Sequence, residues 1–152
     1  MCLEVNIRDI KIESTVSQGA GSAAISCQGG VARSHFANLL IVNPGIGINC
    51  IGITDSIAIH DCQFWFVKGT GIRIGHGSEI QIIGGRIIGV SKSNGSVGIH
   101  LTGDNGGVYI TGGSVINFQY AVLIENLTGA GSNREVFFIN TALDKLAGVT
   151  AP

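Results

Sequence analysis

One short apolar alternation recurs six times along the chain. Each copy is too small to bury itself, so the copies must stack on one another. It begins as Val5 and Ile7, keeps Phe36 in the second copy, and returns as Ile57 with Ile59, Ile80 with Ile82, Val108 with Ile110 and Val136 with Phe138. Five residues beyond the second apolar position stands another apolar residue: Ile12, Ile41, Phe64, Ile87, Val115 and Leu143. Aligning Val5, Ser34, Ile57, Ile80, Val108 and Val136 gives spacings of 29, 23, 23, 28 and 28 residues. That is the range of a solenoid repeat.

A second series, of the form small residue, aliphatic, variable, apolar, falls between copies of the first. It reads Ala24-Ile25-Ser26-Cys27, Gly45-Ile46-Gly47-Ile48, Gly71-Ile72-Arg73-Ile74, Gly98-Ile99-His100-Leu101 and Ala121-Val122-Leu123-Ile124. Each repeat therefore holds at least two extended segments separated by Gly, Ser, Asn and Asp, so one repeat makes one polygonal coil. Length variation concentrates at 91–97 and 129–133, which read as protruding loops. Asp9, Asn38, Asp61 and Asn140 share a corner position two beyond the second apolar residue, where Asn and Asp tolerate a left-handed backbone.

Composition agrees. Hydrophobic residues make up 45% of the chain and Gly 24 of 152 positions, yet only two prolines occur, which excludes collagen-like and disordered classes. The β-branched residues that fill the repeats stack well on a pleated surface. No apolar run approaches the ~20 residues of a membrane helix. A net charge of -1 without a basic patch argues against nucleic acid as a partner. Met1-Cys2-Leu3-Glu4 lacks the charged and apolar regions of a signal peptide, so export by that route is not expected. Cys2, Cys27, Cys50 and Cys62 have no C-x-x-C spacing. They read as core or incidental thiols, with Cys27 inward in the column of Ile48, Ile74 and Leu101.

The aligned ladders and corner residues, from about Leu3 to Leu143, resemble the right-handed parallel β-helix of the pectate-lyase-like superfamily, most closely the β-helix domains of phage tailspikes and tail appendages. The resemblance implies an all-β, single-stranded parallel β-helix of about six coils, with rungs about 4.8 Å apart, assembled as a homotrimer. Residues 1–152 then form one domain, with a ladder core at 3–143 and a tail at 144–152. Its ends have no obvious caps, which suggests a piece of a longer protein or an oligomer that covers them. A doubly wound α/β fold lacks uninterrupted helical stretches here, and a sandwich would not need equivalent columns at one period. Flat threonine arrays of the antifreeze kind are also missing.

Outward positions carry the functional expectations. On the first strand they run Asn6, His35, Ala58, Gln81, Tyr109, Phe137 and Arg8, Ala37, His60, Ile83, Thr111, Ile139. Ile83, Tyr109, Phe137 and Ile139 there form an apolar patch, an interface candidate. On the second, Arg73, His76 and His100 should gather with Asp104 and Glu125. Two carboxylates with cationic neighbours suit glycoside chemistry, so Asp104 and Glu125 are the catalytic candidates and Arg73, His76 and His100 the carbohydrate-binding ones.

Asp55, Asp61 and Glu79 fall short of a calcium ligand set, and neither metal nor cofactor is expected. Trp65 beside Phe64 is either packed at a corner or free to stack on a sugar. The resemblance implies host attachment from the virion, through binding of bacterial surface polysaccharide. The alternatives are a polysaccharide-degrading enzyme, hydrolase or lyase, and a purely structural spacer or trimerisation element.

Overall fold

A computed structural model describes residues 4–15, 18–92, 94–103, 105–125 and 134–143. Within them the chain is all β, with no helix, and winds as a parallel β-solenoid of about five turns, one fewer than the repeat count suggested. Each turn has three faces. The first stacks β1 (Asn6–Arg8), β5 (His35–Ala37), β8 (Ala58–His60), the end of β10 (Thr70–Ile83), β13 (Asn105–Thr111) and β16 (Arg134–Ile139). The second stacks β2 (Lys11–Glu13), β6 (Leu40–Val42), β9 (Gln63–Val67), β11 (Arg86–Gly89), β14 (Ser114–Ile116) and β17 (Ala142–Leu143). The third holds β3 (Ala23–Gln28), β7 (Ile46–Asp55), the start of β10, β12 (Val97–Thr102) and β15 (Tyr120–Glu125), with β4 (Val31–Ala32) on the end of β7.

Both outward columns expected on the first face are reproduced residue for residue. The inward column of the second face is likewise Ile12, Ile41, Phe64, Ile87, Val115 and Leu143. Ladder residues such as Ile57, Ile72, Ile80, Ile99 and Val108 are fully buried. Each buried aliphatic side chain contributes about 1.5–3 kcal/mol. Ser34 interrupts one apolar column but is satisfied: its hydroxyl accepts from the Val5 amide at 3.2 Å and donates to the Ala32 carbonyl at 3.2 Å.

Two corners explain the turn residues. After the first face Asp9, Asn38, Asp61, Gly84, Gly112 and Asn140 all take positive φ, between 51° and 66°. Before it Arg33, Ser56, Glu79, Gly107 and Glu135 also take positive φ, between 48° and 62°. The corner amides of Asp9, Asn38, Asp61, Gly84 and Gly112 each donate to a carbonyl of the next coil, so bending the chain leaves no donor unpaired there.

On the third face the expected alignment slips by two residues in the second coil. Cys27 pairs with Cys50, not Ile48, and the column continues through Ile74, Leu101 and Ile124. Gly45-Ile46-Gly47-Ile48 and Gly47-Ile48-Asn49-Cys50 both satisfy the pattern, and a slip of two leaves every side chain on its original face. Strand alternation alone cannot separate the two. The register decides which residues become neighbours of Arg73.

Candidate functional site

The outward column of the third face runs Ser26, Asn49, Arg73, His100 and Leu123. Arg73 and His100 are thus direct neighbours on adjacent strands, as expected, because Ile72, Ile74, Ile99 and Leu101 on either side of them point into the core. Glu125 pairs with Thr102, and its carboxylate turns toward the imidazole, with His100 Nε2 and Glu125 Oε2 2.7 Å apart. The His100 side chain is 14% exposed and that of Glu125 41%. The carboxylate therefore fixes the ring orientation while keeping an accessible edge.

Asn49 belongs to this cluster and escaped the sequence reading, because the two-residue slip put Gly47 beside Arg73. Asn49 Oδ1 and Arg73 Nε are both shielded from solvent with no hydrogen-bond partner. Leaving such a buried group unsatisfied costs about 1–3 kcal/mol. One atom is an acceptor and the other a donor, on adjacent rungs of one column.

The structure brings Arg73, His100 and Glu125 together, and His76 lies three residues beyond Arg73 on the same strand. His76 is exposed, beyond a bulge at which β7 gains one residue on β10 between Cys50 and Ile53. Its ring lies beside Gly103, where an added Cβ would stand 2.7 Å from His76 Cε1. Asp104 lies outside the described residues. Of the expected carboxylate pair, only Glu125 has a described position.

The other candidates lie elsewhere. Asp55 accepts from Ser78 Oγ at 2.6 Å, and Glu79 from Ser56 Oγ at 2.8 Å. Both sit at the corner before the first face, whereas Asp61 sits at the corner after it. Among the described residues no group of three or more His, Cys, Asp or Glu side chains is placed to hold a metal ion. His35 and His60 meet edge to face, with centroids 4.9 Å apart.

On the first face Tyr109 and Phe137 stack with centroids 5.2 Å apart and planes 10° from parallel. Ile83 is half-buried and Ile139 exposed next to them. Phe64 points inward, and Trp65 outward into solvent. Cys50 and Cys62 are buried and Cys27 half-buried, all as free thiols, and Cys2 lies outside the described residues. A hydrogen bond from Cys50 lowers the Cys27 thiol to about 7. The same contact, with burial, raises Cys50. Burial raises Cys62.

Among the described residues no helix is long and apolar enough to cross a membrane. Comparison with protein-family models, curated proteins and solved structures found no match. The parallel solenoid therefore stands on its own geometry.

Proposed function

We propose that this chain is a carbohydrate-binding β-solenoid module, of the kind that phage tailspikes and tail fibres carry on the virion, and that it attaches to bacterial surface polysaccharide. The observation that carries the reading is the outward cluster in which Arg73 lies beside His100, itself hydrogen-bonded to a Glu125 carboxylate that keeps an exposed edge. Sugar hydroxyls complete such a set, because each donates and accepts at once. Arg73 also suits the carboxylate of an acidic sugar, which a guanidinium grips with two parallel hydrogen bonds. Parallel rungs hold these side chains on rigid strands, and that preorganisation lowers the entropic cost of binding.

The same reading includes a homotrimer closed through the first face, where Tyr109 and Phe137 stack in the open. Apolar outward columns on a sheet mark an interface, and three copies around an axis form a closed assembly in which the first faces cover one another while the other faces stay open.

Binding is tested with an array of bacterial polysaccharides followed by calorimetry on those retained. Arg73→Ala is expected to weaken the retained polysaccharide at least tenfold while the melting temperature stays within a few degrees. Unchanged affinity contradicts the assignment. Release of reducing or unsaturated ends, abolished by Glu125→Gln, would instead establish the enzymatic reading.

A further inference from the structure

We propose that Trp65 and Phe66 form a second saccharide site on the second face, a ledge on which a pyranose ring stacks. In a regular strand two successive residues point to opposite sides. Here β9 carries one extra residue: Phe64 lies opposite Ile87, but Val67 lies opposite Gly89. The insertion turns Trp65 and Phe66 outward together, 38% and 49% exposed. Their rings meet edge to face, with centroids 6.5 Å apart and planes at 83°, so they make a step.

The backbone at Phe66 is the second observation. It adopts φ 59°, a left-handed conformation that is an outlier for a bulky residue. On the preceding coil Val42 pairs with Trp65, and the residue after it, Asn43, takes φ 57°. Asparagine tolerates this conformation, whereas for phenylalanine it is strained. Nor does Phe66 recover the cost by burial, since half its surface faces water. Strain held at an exposed aromatic points to use of that surface.

The surroundings select the ligand. Two residues back along β9, Gln63 lines a shallow polar depression with Asp61 and Arg86, about 7 Å from Trp65 along the strand. A flat apolar step beside a polar groove matches a sugar, which has a C–H face and a rim of hydroxyls. A protein partner needs roughly 800 Å² on each side. The open parts of these two rings supply on the order of 200 Å².

The ligand class rests on the carbohydrate reading above, but the site lies on a different face from Arg73 and fails independently of it. Trp65 is the only tryptophan, so its emission reports on the ledge alone. Oligosaccharides released by mild acid from bacterial capsule and O-antigen should shift that emission to shorter wavelength, saturably. Trp65→Ala should weaken binding about tenfold. Phe66→Asn should raise the melting temperature while weakening binding at least threefold, an opposition that a purely structural role cannot produce.

If calorimetry detects binding that Arg73→Ala abolishes, with Trp65 emission and both ledge variants unaffected, the ledge is overturned and the Arg73 site stands. Altered sedimentation of Trp65→Ala, with saccharide affinity retained, makes the ledge a contact between copies and overturns it as well. Binding of no saccharide overturns both sites.

Discussion

Replacing Gly71 by valine should cost the protein more than about 3 kcal/mol. A Cβ there would lie 2.5 Å from the carbonyl oxygen of Gly98 and 2.5 Å from Cγ2 of Ile87. The first is backbone of the next coil and the second a buried ladder residue of the opposite face, so neither can yield. Gly47 and Gly98 occupy the same column, with Ala24 and Ala121 above and below. The column is small because the third face approaches the second most closely here, and interiors packed at crystal density do not absorb extra methyl groups.

A loss of 3 kcal/mol is a large share of the stability of an ordinary domain and lowers the melting point by about 10 °C at this chain length. Gly106→Val is the control. A Cβ at Gly106 meets nothing within 4 Å, and the change should stay within about 0.5 kcal/mol. Equal losses at Gly71 and Gly106 would contradict the packing described.

The second large effect concerns assembly. Phe137→Lys should convert a particle of three chains into single chains in analytical ultracentrifugation. Phe137 is 44% exposed and stacked on Tyr109, so an interface on this face would place the ammonium group in an apolar contact. A charge buried without a partner costs several kcal/mol, and each copy in the assembly would carry one. The solenoid should remain folded, because the ladder beneath it, Val108 and Ile110, is buried independently of the outer ring. A wild-type protein that sediments as a monomer at all concentrations would remove the trimer from the proposal.

How much was legible beforehand depended on which interactions repeat. Ile57, Ile80 and Val108 announce their column because each coil needs the same buried volume at the same height. Asp9, Asn38, Asp61 and Asn140 announce a corner because few residues adopt positive φ. What repeats once was invisible. The extra residue in β9 that exposes Phe66 leaves no periodic trace.

The third-face slip is a different failure. Ile46 and Ile48 are chemically alike two positions apart, so the pattern scored both registers equally and concealed Asn49. Only the paired backbone distinguishes them. The bulge near Gly52 (φ 136°), opposite the stretch between Ile74 and His76, left no periodic trace either. Arg73, His100 and Glu125 came together because the strands carrying them keep perfect register.

Electron spin resonance between nitroxide-bearing unnatural residues tests the stacked ladder most directly. Lys11, Leu40, Gln63, Arg86, Ser114 and Ala142 form one outward column of the second face. Pairing Lys11 with Arg86, Ser114 or Ala142, in chains diluted with unlabelled protein, should give separations near ~14, ~19 and ~24 Å at about 4.8 Å per rung. Distances that fail to grow by one constant step, or that coincide for two of the pairs, would show that these residues do not share a wall.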